Sequence, residues 1–171
     1  HLKAMTKQLS SLFYVNQEYY LSILPTATPY SRNAIFSGYF PNELQEEYPD
    51  IWKKMWQDEK SMNRYEDQFL KDLLNRMGFK SKSVHYHKVI TYEEGNKLEN
   101  RINDFKEVDF LALVINFVDI LGHSRSESNI LKELIPNESA YRQSIYNWFK
   151  NSWLNDCLNE FSDWGADIVI T

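Results

Sequence analysis

Apolar positions along the chain follow two rhythms, one helical and one β-like. Leu2, Met5, Leu9 and Leu12 recur every three or four residues, which predicts a helix over Leu2–Phe13. The next run, VNQEYYLSIL, is rich in aromatic and β-branched residues and predicts a strand that stops at Pro25. After Thr28, the run PYSRNAIFSG opens on a proline suited to a first helical turn and ends at Gly38, so a short helix capped by Thr28 is expected at a strand-to-helix turn. Pro41–Lys60 is charged and carries Trp52 and Trp56, with Pro49 dividing it into two short helices of a surface excursion. Arg64–Met77 sets Phe69, Leu70, Leu73, Leu74 and Met77 on one helical face and is followed by Gly78.

The second half repeats the alternation. SVHYHKVI has a strand pattern and Glu93–Ile102 a helical one. Leu111–Val118 is almost unbroken in its apolarity, as a central strand buried on both faces of a parallel sheet requires. Helices are expected over Ser126–Ile135 and Glu138–Phe161, divided at Pro136, before the β-like run ADIVIT. Helix-strand alternation of this kind is α/β, with no fixed-period repeat and no low-complexity tract. Because the chain stops within a β-like run at Thr171, it is expected to be a piece of a longer domain.

Composition narrows the function classes. Apolar residues make up 43% of 171 residues, enough for a folded core. A net charge of −5 argues against a general nucleic-acid coat, which gains its affinity by neutralising phosphates, although a local basic pocket is compatible. The single cysteine, Cys157, sits in a helical pattern beside Trp153 and Leu154 and excludes an intrachain disulfide or a cysteine cluster, which fits a reducing compartment. No run approaches the roughly 20 apolar residues of a membrane span, and the N-terminal HLKAMTKQLSSLF lacks the arrangement of a secretory signal. A cytoplasmic address without membrane partners is expected.

Two segments carry candidate chemistry. In LPTATPYSRN, Thr28 stands where a helix N-terminus presents unpaired N–H groups and a partial positive charge, both favourable to a phosphoryl group. A hydroxyl alone is a weak nucleophile and needs a metal ion to lower its pKa. Arg32, one turn on, suits a bidentate phosphate donor. The same residues also read as an ordinary helix cap and a surface arginine, and Thr26 rivals Thr28 for any special role.

In VINFVDILGHSRSES, Asp119 and His123 follow the greasiest strand, where open α/β sheets gather their ligands. Gly122 is expected to turn the chain so that His123 folds back beside Asp119, and a carboxylate with an imidazole suits zinc or a similar ion. A turn-capping Asp119 and a loop histidine is the plainer alternative, with Arg125 and Glu127 as a solvated helix start. His85 and His87 share a strand face but read better as a solvent-facing edge. Trp52 and Trp56, four apart, read better as packing than as base-stacking platforms.

Taken together and in this order, LPTATPYSRNAIFSGYFP and NFVDILGHSRSES resemble the nucleophile turn and the aspartate-histidine metal strand of the PglZ branch of the alkaline phosphatase superfamily. The closest likeness is to the effector domain of PorX-like two-component response regulators, and nucleotide pyrophosphatases and phosphodiesterases have similar turns. The likeness runs on through NESAYRQSIYNWFKNS. It implies a three-layer α/β fold with a mostly parallel central sheet, present here as the middle section of one domain. It also implies a zinc-dependent phosphodiesterase or phosphatase with Thr28 as the covalent nucleophile and a ligand to metal, Arg32 in support, and Asp119 and His123 on one of two zinc ions. Substrates would be phosphoesters, nucleotides or short oligonucleotides. A receiver domain, a histidine kinase and a homodimer would be the signalling partners. The family pattern further requires an upstream metal-binding aspartate, a downstream aspartate-histidine pair and a later histidine. These are missing from this sequence, so the segment alone is expected to be inactive, and a non-catalytic signalling or interaction module is the competing function.

Overall fold

The computed structural model describes residues 2–57, 61–79 and 83–171. Residues 58–60, the end of the Pro41–Lys60 stretch, lie outside the described residues. The chain forms two compact units, one of His1–Gln17 with Tyr86–Thr171 and the other of Glu18–His85.

The first unit is built on a small parallel sheet of β1 (Val84–Val89) and β2 (Phe110–Ile115), whose first two residues belong to the other unit. The crossover contains α6 (Tyr92–Glu99) and a 3-10 turn at Ile102–Phe105. A capping box starts α6: Thr91 accepts from the Glu94 N–H at 3.2 Å, while the Glu94 carboxylate accepts from the Ile90 and Thr91 N–H groups at 2.8 and 3.1 Å. These bonds, the Ile90 one first, hold the Glu94 carboxyl below the ordinary carboxylate range.

Helices α1 (Leu2–Leu12), α9 (Glu138–Lys150) and α10 (Trp153–Asp163) complete the main core of this unit. Leu9, Val89, Leu98, Ile102, Phe105, Phe149, Trp153 and Cys157 are all buried there. Gly95 allows α6 to close on α10, because a Cβ at that position would stand 1.9 Å from Trp153 Nε1. Burial, with Glu99 next, pushes the Cys157 thiol up to about 12. A smaller cluster of Ile135, Tyr141 and Ile145 lies beneath α7 (Phe117–Glu127) and α8 (Asn129–Leu134).

The second unit packs α2 (Thr28–Ser37) against α5 (Glu66–Arg76), with α3 (Pro41–Glu47) and α4 (Pro49–Met55) alongside. Pro49 does divide two short helices, but they are not a mere surface excursion. Leu44 and Met55 are buried with Phe69, and Trp52 packs on that cluster. Trp56 meets Trp52 edge-on at 5.5 Å and tilts against Tyr30 at 5.3 Å, so both tryptophans serve packing.

Several expected elements differ. The residues 15–24 and ADIVIT form no strand: Leu21 is 99% and Val169 88% exposed. A β-rich composition favours a strand chiefly where side chains pack on a half-buried surface. Strand β2 ends at Ile115, with Phe110 exposed and residues 111–115 only half-buried, so it is not the strand buried on both faces that its apolarity predicts. The helical tail also divides at Asn151–Ser152 as well as near Pro136. His85 is exposed as expected, whereas His87 is half-buried, with its ring edge-on to Phe105 at 5.1 Å. Among the described residues no helix is long and apolar enough to cross a membrane.

Candidate functional site

Thr28 is the first residue of α2, and the N-cap is Ala27, whose side chain offers no acceptor. The expected threonine cap is therefore displaced by one residue, and Pro29 falls one position deeper in the first turn. Thr28 and Thr26 are both exposed. Ala27 accepts from the Tyr30 and Ser31 N–H groups at 2.9 and 3.0 Å, and no acidic side chain occupies the first turn. An uncapped helix start without a carboxylate favours an incoming anion. At the other end Gly38, with φ of 69°, closes α2 in the left-handed conformation that glycine adopts without strain. The expected strand leading into this turn is instead non-strand chain.

Arg32 does not stand open beside Thr28. Its Nη2 donates to Glu66 Oε2 at 2.6 Å, and Glu66 is fully buried at the start of α5. Asn63 Nδ2 donates to the other carboxylate oxygen at 3.1 Å. The next residue, buried Asn33, donates through Nδ2 to the Pro29 carbonyl at 2.6 Å and the Met62 carbonyl at 2.8 Å. The amide orientation follows from those two carbonyls, which can only accept. The residues 62–66 thus hold the first two turns of α2. Sequence reading missed Glu66, Asn63 and Asn33, because the Arg32–Glu66 pair spans 34 residues and leaves no local pattern.

Asp119 and His123 lie on α7, not in a turn after a strand. Gly122 does not bend the chain: it sits inside the helix, where a Cβ would meet the Tyr141 hydroxyl at 3.2 Å. A small residue there lets α7 approach α9. The spacing of four puts Asp119 and His123 on one helical face, with Oδ1 and Nε2 3.5 Å apart and both side chains exposed. Two ligands of a tetrahedral zinc with bonds near 2.0–2.1 Å stand about 3.3 Å apart, so this pair suits one edge of such a site. Among the described residues no group of three or more His, Cys, Asp or Glu stands together for a metal ion. The pair therefore fits part of one zinc site, and the described residues do not fit a two-zinc centre.

Arg125 is not merely a solvated helix start, since its Nε donates to the Ile135 carbonyl at 2.9 Å and its guanidinium lies 5.6 Å from the centre of the Tyr141 ring. Burial first, then Glu138, raises the Tyr141 hydroxyl above its ordinary range, and the Asp119 charge adds to the shift. Tyr141 thus packs against α7, its hydroxyl facing Gly122. Thr28 and Arg32 belong to one compact unit, and Asp119 and His123 to the other.

The parallel β-α-β arrangement and helix-rich surroundings belong to the alkaline phosphatase-like α/β class. A family model described as the BREX system PglZ alkaline phosphatase-like domain matches residues 2–171, and the chain belongs to that PglZ family. A search of curated proteins finds no match. Membership suggests a phosphoesterase-type function.

Proposed function

We propose that the chain carries the nucleophile turn and one metal-binding face of a zinc-dependent phosphoester hydrolase acting on nucleotides or short oligonucleotides. Its supporting observation is the uncapped, acid-free first turn of α2, which offers an exposed Thr28 hydroxyl at the positive end of the helix dipole. In this reading Thr28 Oγ1 forms a bond to phosphorus and releases its proton to solvent, as the ester oxygen leaves with the bonding pair and takes up a proton from water. Water then cleaves the Thr28–phosphate bond and restores the hydroxyl. Asp119 and His123 would hold a zinc ion, which when bound supplies charge neutralisation. The Thr28 N–H and the remaining donors of Arg32 steady the phosphoryl oxygens.

In the intact parent this would be the effector of a response regulator, with a receiver domain, a cognate histidine kinase and a homodimer as its setting. The second reading is a non-catalytic interaction module. It is favoured by the commitment of Arg32 to Glu66 and by the absence of a third metal ligand among the described residues.

Hydrolysis of bis(p-nitrophenyl) phosphate by the zinc-loaded intact protein separates the readings. Thr28→Ala should lower kcat by roughly 10³-fold or more, while Thr26→Ala leaves it nearly unchanged. Asp119→Asn and His123→Ala should each reduce bound zinc. Full activity of the Thr28→Ala protein would remove the nucleophile assignment, and an inactive, zinc-replete wild-type protein would favour the interaction module.

A further inference from the structure

We propose that Glu66, held by Asn63, is a positioning residue for the Thr28 turn, acting through Arg32. The inference rests on the reading of Thr28 as nucleophile. Two observations lead to it. The start of α2 has no side-chain cap, so local bonding leaves the direction of its first turn underdetermined. Tertiary bonds fix it instead: Glu66 grips Arg32 at 2.6 Å, and Asn33 ties the Pro29 carbonyl, next to Thr28, to the Met62 carbonyl.

Glu66 is itself held. Its second oxygen accepts from Asn63, three residues before it, so the carboxylate has a fixed orientation as well as a partner. A fully buried carboxylate is a poor stability device, since apolar replacements of buried ion pairs are often neutral or stabilising. What a two-sided carboxylate supplies is direction: it sets the azimuth of α2 about its axis and hence where the Thr28 hydroxyl points. It also holds the Arg32 guanidinium in one plane, leaving its remaining N–H donors in a defined orientation.

The test uses kcat and KM of the zinc-loaded intact protein on bis(p-nitrophenyl) phosphate, with circular-dichroism melting, for Glu66→Gln, Asn63→Ala and Thr28→Ala. Misplacement of a reacting group by an ångström costs on the order of 10²-fold, so Glu66→Gln should lower kcat about 10- to 100-fold. Asn63→Ala should show a smaller loss, with KM in both changed less than about threefold. Asn63 is only half-buried, so its variant carries the test should Glu66→Gln fail to fold. Wild-type kcat in Asn63→Ala and in any folded Glu66→Gln, with Thr28→Ala inactive, would overturn the positioning role alone. Full activity of Thr28→Ala would overturn the nucleophile reading and the positioning role with it.

Discussion

Gly95→Ala is the sharpest perturbation of the β-α-β unit. The added methyl would lie 1.9 Å from Trp153 Nε1, 2.0 Å from Cε2 and 2.4 Å from Cδ1. Ordinary contact is near 3.5 Å, so the indole or α6 must retreat by roughly 1.5 Å. Neither can do so freely: Trp153 is 2% exposed and lies among Leu98, Phe149 and Cys157. Overpacking of a buried site costs about 1–3 kcal/mol or more, and an overlap with a rigid ring belongs at the upper end. Alanine recovers about 1 kcal/mol of helix propensity over glycine. The net is a destabilisation of about 2 kcal/mol, or roughly 4–8 °C in Tm for a chain of this size. Thermal melting by circular dichroism and tryptophan fluorescence reads this directly. Gly95→Ala combined with Trp153→Leu should lose less than the sum of the two singles, since the smaller side chain vacates the colliding space. A Gly95→Ala protein as stable as wild type would refute the packing of α6 against α10.

Glu94→Gln tests the cap of α6 through pH. The folded pKa of Glu94 is depressed below 4.5, so its stabilisation is present above that value and is lost as pH falls through the folded pKa. The Tm gap between wild type and Glu94→Gln should therefore be open at pH 7 and close on acidification; a pH-independent gap would contradict the capping account. Cys157, with its thiol pushed up to about 12 in the core, should resist iodoacetamide at pH 8 in the native protein and react after denaturation. Rapid native labelling would show that α10 does not cover it.

Much of the architecture is legible in the sequence wherever local rules suffice. The Phe69–Leu74 face of α5, the Pro29 and Gly38 punctuation of α2 and the apolar run of β2 each follow from spacing and backbone chemistry. The reading goes astray where tertiary context decides. Gly122 resembles a turn signal because glycine weakens helices by about 1 kcal/mol, yet α7 keeps it where Tyr141 approaches. The run VNQEYYLSIL has β composition yet forms no strand, with Tyr19, Tyr20, Leu21 and Leu24 exposed. Leu44 and Met55 are masked by charged neighbours, although they form a core with Phe69. At the site, the residue types at Thr28, Asp119 and His123 are visible in one dimension. The Arg32–Glu66–Asn63 network is not, because side chains distant in sequence meet only after α2 and α5 pack.

Acid-quenched turnover followed by peptide mass spectrometry tests the nucleophile most directly. The zinc-loaded intact protein, quenched during hydrolysis of a phosphodiester, should yield a phosphoryl or nucleotidyl adduct on Thr28 that is missing from Thr28→Ala. Turnover with an unmodified Thr28, or an adduct that maps to Thr26 or Ser31, would contradict the account.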